Sequence, residues 1–240
     1  MGGMALVYKV RHTVLESTHA LKVILPHLLR ESRFLDRFLE EAKLQRQPKE
    51  KPLSRRVALV SGAGGGIGKA IADKLIAEGA NVVFSDINED RLKEAITHYN
   101  SDLATYATAD VTSENSVAQA YRKACLDFGG VDIIIHSAGL AISKPLADHT
   151  EADWNLIQDV LVKGQFSLAK TGTDILRKQG FGGDIVNIAS KNGLVSGPNN
   201  VGYGTAKAAQ QHMTRLLAAE LGPEKIRVNT VNPDGVIVGS

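Results

Sequence analysis

The chain has 240 residues, 43% of them hydrophobic and 22% charged, with a formal net charge of +2. This is the composition of an ordinary globular domain. No apolar run approaches the roughly 20 residues of a membrane helix, and one cysteine, Cys125, excludes internal disulfides and multi-cysteine metal sites. Charges interrupt the short apolar stretches near the N-terminus, so no signal peptide is read there and a cytoplasmic location is expected.

The charge is unevenly placed. Residues 1–56 carry 12 Lys and Arg against 6 Asp and Glu, whereas the remainder carries 16 against 20. A basic first segment is compatible with an anionic partner, but an unrelated piece joined to a domain accounts for it more simply. No basic run is interleaved with aromatics, so neither nucleic acid nor membrane is expected as a partner.

In chain order, RQPKEKPLSRR at 46–56 combines two prolines with dense charge and lacks apolar periodicity. It reads as a linker at 47–55, dividing a segment over 1–46 from a domain over 56–240. The domain opens with a β-branched run at 57–60, then the turn SGAGGGIG, and a helix over 67–78. Strands are expected at 81–86, 104–107, 131–139, 184–189 and 226–231. Helices are expected over 89–98, 114–128, 151–178 and 202–221. Short apolar strands alternating with longer helices imply parallel βαβ units. The expected fold is α/β, a Rossmann-like doubly wound parallel sheet with strand order 3-2-1-4-5-6 and ligands at the carboxyl ends of its strands.

Gly62, Gly64, Gly65, Gly66 and Gly68 lie between the first strand of the sheet and its helix. Glycines there allow a sharp turn and bring backbone N–H groups close to a pyrophosphate, which a helix N-terminus favours. The G-x-x-x-G-x-G spacing is neither G-x-G-x-x-G nor a P-loop. A purely structural turn is the alternative; the position after the first strand favours nucleotide binding. Asp86 ends the second strand, where a carboxylate accepts from ribose hydroxyls and repels a 2′-phosphate. It could equally cap the helix that follows. Arg91 is expected to point outward, and NAD is the expected cofactor. Tyr203 and Lys207 stand one helical turn apart, on one face.

With Ser190 13 residues upstream of Tyr203, the motifs SGAGGGIG, Asp110-Val111, HSAG at 136–139, IVNIAS at 185–190 and YGTAK at 203–207 occur in order. Over about 55–240 the sequence resembles the short-chain dehydrogenase/reductase family. The resemblance implies a Tyr203 general acid/base, a Ser190 hydroxyl that orients the substrate oxygen, and a Lys207 that holds the nicotinamide ribose. An isolated phenol ionises near a pH of about 10, and a neighbouring ammonium and positive nicotinamide favour the phenolate. The resemblance assigns cofactor binding to Gly62, Gly65, Gly66, Ile67, Gly68, Asp86, Asp110, Val111, Ala138, Gly139, Tyr203, Lys207, Pro233, Gly235 and Val236. It implies a small-molecule substrate, no metal and a homo-oligomer. Two positions depart from the family: Leu161, in DVLVKGQF, stands where an asparagine is usual, and HSAG replaces N-N-A-G.

A closer resemblance, through DVLVKGQF, GDIVNIASKNGLVSGPNNVGYGTAKAAQQH and VNPDGVIVGS, is to the dehydrogenase half of bifunctional rhamnulose-1-phosphate aldolase/alcohol dehydrogenases. It implies a small aldehyde or alcohol such as lactaldehyde. Family members continue past the sixth strand of the sheet, so a C-terminally truncated sheet with that strand at an open edge is expected. Residues 1–46 resemble instead the start of a serine/threonine kinase, through GGMALVYKVRH, HALKVI and RFLEEAK. Gly2 and Gly3 then end a nucleotide loop, Lys22 contacts phosphate and Glu41 is its partner. No H-R-D loop follows, and the Asp127–Gly129 D-F-G ends a helix, so no phosphotransfer is expected.

Overall fold

The computed structural model describes residues 5–11, 18–24, 51–100 and 102–235. Its contacts divide the chain into two units, Met1–Glu50 and Lys51–Ser240. In the first, strands β1 (Ala5–Arg11) and β2 (Thr18–Ile24) pair antiparallel, with Lys22 opposite Val7. Gly2, Gly3 and Glu41 lie outside the described residues.

The second unit is built on a six-stranded parallel sheet. Its strands are β3 (Val57–Ser61), β4 (Asn81–Asp86), β5 (Ala104–Thr108), β6 (Ile133–His136), β7 (Gly183–Ile188) and β8 (Ile226–Val231). The order across the sheet is β5-β4-β3-β6-β7-β8, the doubly wound arrangement expected from the sequence. Helices α1 (Gly66–Ala77), α2 (Glu89–Ile96), α3 (Glu114–Phe128), α4 (Glu151–Gln158), α5 (Gly164–Gln179) and α6 (Val201–Leu221) cover its faces. Because both faces are covered, the central strands β3 and β6 are buried at every position, which is why they read as apolar runs up to their last residues, Ser61 and His136. Edge strand β8 alternates buried and exposed positions over its first four residues.

Two apolar clusters fill the layers. One joins Val60, Val82, Phe84 and Ile135 to Ala72, Ile76 and Leu92 of α1 and α2. The other joins Leu59, Ile134 and Ile185 to Tyr121 of α3 and Leu168 and Leu176 of α5. Tyr121, wholly buried, donates its hydroxyl hydrogen to the Leu168 carbonyl at 2.8 Å. At the amino ends of the strands, Asp184 binds Arg56 at 3.2 Å and Arg227 at 2.7 Å, while Asp132 accepts from the Val57 N–H. These carboxylates tie β3, β7 and β8 together at the end remote from the strand carboxyl ends.

Local rules set the helix limits. Ser113 and Asn88 cap α3 and α2 through their side chains, and Thr150 forms a capping box with Asp153 at α4. Gly129 and Gly180, both with positive φ, end α3 and α5. Two expectations change. The strand at 131–139 contracts to Ile133–His136, since the chain leaves the sheet at its carboxyl end. The single helix over 151–178 is interrupted by a π-helical stretch, Asp159–Lys163, which frees a backbone carbonyl from the usual ladder.

Candidate active site

At the carboxyl ends of the strands lies a cleft of about 710 Å³. Its floor begins with the glycine turn. Gly62 takes φ +68°, and a Cβ there would stand 2.7 Å from the Ala138 N and Cα atoms; a Cβ on Gly68 would stand 2.1 Å from the Gly62 carbonyl oxygen. Only glycine permits these approaches, and they press the turn against the end of β6. Gly65 opens helix α1 without a side-chain cap, so the N-terminal N–H groups are not claimed by a capping side chain. A Cβ on Gly65 would meet open space. The cradle has the shape and polarity to take a pyrophosphate.

Asp86 closes one end. Its Oδ2 accepts from the Gly64 N–H at 3.1 Å and its Oδ1 from the Asn88 N–H at 3.0 Å, so both oxygens are held at the rim. It does not cap α2; Asn88 does, accepting from the Arg91 N–H. Arg91 does not point away either. It lines the cleft beside Asp86, because its Cβ lies near Gly64. Asp110 accepts from both the N–H and hydroxyl of Thr112 at 2.8 Å, which fixes the Asp110-Val111 turn against the adjoining wall.

Tyr203 and Lys207 line the opposite end, from one face of α6, with the Lys207 Nζ 5.6 Å from the Tyr203 ring centre. Lys207 is 5% exposed and donates to the Ile188 carbonyl at 2.8 Å. Burial pushes its pKa down to about 8. Among the described residues it forms no ion pair. Ser190 follows the lining residue Ala189. Its Oγ accepts from the Asn192 N–H at 3.2 Å and its carbonyl from Gln211 at 2.9 Å, so the residue is anchored from both sides.

The cleft thus brings together Gly62, Gly65, Gly66, Ile67, Gly68, Asp86, Asp110, Val111, Ala138, Gly139, Tyr203 and Lys207. Ser190, Pro233 and Gly235 do not join its lining. The turn after β8 is tied to β7 instead, with the Lys191 N–H donating to the Pro233 carbonyl and Lys191 paired with Asp234. Val236 lies outside the described residues. Ile87, Leu140 and Leu156 line the cleft without a motif of their own, and Ser137 and Val160 line it from within HSAG and DVLVKGQF. The nearest sequence signal for most of them is adjacency to a motif residue.

His136 is buried at the end of β6, between Ser61 and the Leu161 carbonyl. Desolvation and, secondarily, the charge of Lys207 push its pKa down to about 4. Among the described residues no group of three or more His, Cys, Asp or Glu could hold a metal ion, and no helix is long and apolar enough to cross a membrane.

The sequence profile of the short chain dehydrogenase family matches residues 56–238. The chain belongs to this family. Its relatives are described as oxidoreductases. An uncharacterized oxidoreductase of Bacillus subtilis (strain 168), YuxG, is 39% identical over 206 residues, covering 84% of this chain and 30% of that protein. The chain therefore spans about a third of that relative's length. A short-chain dehydrogenase/reductase from Mycobacterium marinum superposes with a TM-score of 0.72 at 32% identity, over 77% of this chain and 76% of that one. The structure of an NAD+-bound xylitol dehydrogenase gives a TM-score of 0.74 at 33% identity, over 79% and 74%.

Proposed function

We propose that this short-chain dehydrogenase interconverts a small alcohol and the corresponding carbonyl with NAD as hydride carrier. The observation that carries the reading is the joint lining of one cleft by the glycine cradle, Asp86, Tyr203 and Lys207. The residues fit a dinucleotide: glycine at 62 and 68 lets the turn pack tightly on its own backbone and on Ala138, Gly65 faces open space, and N–H groups at the start of α1 favour a pyrophosphate. The Asp86 carboxylate offers acceptors to ribose hydroxyls and opposes a 2′-phosphate. When bound, the nicotinamide supplies the hydride acceptor for oxidation or the donor for reduction.

The chain's own residues move the proton and fix the substrate. Tyr203 takes the proton from the substrate hydroxyl at its phenolic oxygen in oxidation and returns it in reduction. Ser190 donates its hydroxyl hydrogen to the substrate oxygen, and Lys207 holds the nicotinamide ribose. Leu140, Leu156 and Val160 give the neighbouring wall an apolar lining suited to a small, weakly polar substrate. Lactaldehyde or its alcohol counterpart is the substrate the resemblance favours. A dehydrogenase unit within a longer protein accords with the 30% share of YuxG that this chain matches. We place the activity in the cytoplasm and in a homo-oligomer, and we read residues 1–46 as a kinase-like segment without phosphotransfer.

The test is a fluorescence titration with NADH and NADPH in parallel, followed by turnover with small aldehydes and alcohols. Saturable binding that favours NADH, with turnover abolished in Tyr203→Phe and NADH affinity within about twofold of the native chain, is the expected result. Undiminished turnover in Tyr203→Phe would refute the assigned acid/base.

A further inference from the structure

The π-helical stretch Asp159–Lys163 has a consequence beyond the shape of the helix. The carbonyl of Leu161 accepts from the Gln210 Nε2 at 2.8 Å and lies 3.4 Å from the His136 Nε2. Three elements meet at this one oxygen: the end of β6, the π-turn, and the turn of α6 that also carries Lys207. The Leu161 side chain is wholly buried, in a cluster with Ile157 and Ala206 against which Tyr203 packs. A Cβ on Gly139, three residues beyond His136, would come within 3.2 Å of Leu161. Anything that fixes the Leu161 carbonyl therefore fixes the Tyr203–Lys207 face relative to the wall formed after β6.

The protonation state of His136 follows from its partners. A carbonyl only accepts, so Nε2 carries the hydrogen and donates to Leu161. On the other side, Nδ1 lies 3.3 Å from the Ser61 Oγ. That oxygen already accepts from the Ser137 and Ala138 N–H groups at 3.1 and 3.2 Å. Its own hydrogen is thus available to Nδ1, with the Ile135 carbonyl as competitor at 3.3 Å. The network assigns a neutral imidazole with Nε2–H, and its burial beside Lys207 disfavours a second positive charge there.

We propose that His136 and Gln210 are positioning residues for the reaction: by donating together to the Leu161 carbonyl, they clamp the π-turn and set the Tyr203–Lys207 pair against the cleft. The proposal rests on the reading of Tyr203 and Lys207 as the acting pair. With both donors in place the carbonyl has its two acceptor positions filled, and no water is needed to bridge it. The titratable side chains facing Lys207 are Tyr203 from α6 and His136 from β6, and no carboxylate among the described residues pairs with it.

Two substitutions separate the clamp from simple filling of space. A glutamine amide reaches the Nε2 position of histidine, whereas an asparagine amide reaches only the Nδ1 position. His136→Asn is expected to lower kcat about tenfold, the loss of one buried hydrogen bond, with the NADH dissociation constant within about threefold. It also opens the carbonyl to water, which eases the charged state of Lys207 and moves the alkaline limb of the pH profile upward. His136→Gln should recover most of kcat and restore the native limb. Gln210→Met removes the other donor and should shift kcat and the limb in the same direction as His136→Asn. In the cofactor-free native chain, 15N shifts of the imidazole should report neutral Nε2–H.

An Nδ1–H or charged ring near pH 7 would overturn the clamp, as would native kcat and pH profile in both His136→Asn and Gln210→Met. If His136→Asn does not fold, Gln210→Met and the imidazole shifts decide. A native chain that neither binds NADH nor turns over substrate defeats the reading of the site, while the imidazole shifts still decide the clamp.

Discussion

Replacing Lys207 by methionine should stabilise the cofactor-free protein near neutral pH and destabilise it at high pH. Lys207 is 5% exposed, pairs with no carboxylate among the described residues, and has its pKa lowered from 10.5 to about 8 by desolvation. A depression of that size corresponds to about 3 kcal/mol of unfavourable free energy in the folded state while the group is charged. Methionine removes this penalty and keeps the aliphatic contacts, but it leaves the Ile188 carbonyl without its 2.8 Å donor, a loss of about 1–2 kcal/mol. At pH 7 the net gain is therefore about 1–2 kcal/mol. The sign changes with pH. Between about 8 and 10.5 the unfolded chain holds the lysine proton and the folded chain does not, so native stability rises with pH, whereas that of Lys207→Met lacks this increment. Above that window only the lost hydrogen bond remains, and the variant is the less stable protein by about 1–2 kcal/mol. Urea denaturation of both proteins from pH 7 to 10.5 measures the difference directly. A difference that stays constant across the range would refute burial of a charged Lys207 as the cause.

Asp86→Ala should narrow the ratio of NADPH to NADH dissociation constants about tenfold, by removing one like-charge repulsion at the ribose and leaving Arg91 at the same rim; parallel fluorescence titrations read the ratio, and an unchanged value would leave Asp86 as a turn-former only. Gly68→Ala forces a Cβ toward a backbone oxygen 2.1 Å away, so the loop must open; a stability loss of about 2 kcal/mol or more together with loss of NADH binding is expected from urea denaturation and titration. Gly65→Ala, whose Cβ meets open space, should cost less than about 1 kcal/mol in the same urea experiment and serves as its control.

Much of the architecture is legible because periodicity and turn chemistry act locally. Continuous apolar runs at 57–60 and 133–135 belong to strands covered on both faces, and their alternation with helices leaves few topologies open. Tyr203 and Lys207 share a face because four residues separate them on a helix. The glycine turn is legible for the same reason, since only glycine tolerates the φ at Gly62 and the approach at Gly68.

Other features depend on residues far apart in the chain, and no window of sequence contains them. Arg91 lines the cleft because its Cβ abuts Gly64 across the β3–α1 turn, although helical phase alone sends it outward. Asp86 is released from capping because Asn88 takes that role and the Gly64 N–H claims one of its oxygens. The break in the helix over 151–178 is a backbone event stabilised by Gln210, 49 residues away, and by His136 on another strand. Local pattern thus determined the strands, the glycine turn and the face that carries Tyr203 and Lys207, since each is set by neighbours within a turn or a strand. Tertiary packing decided which side chains close the cleft and how the Leu161 carbonyl is satisfied, because burial and hydrogen-bond partners exist only once distant segments are brought together.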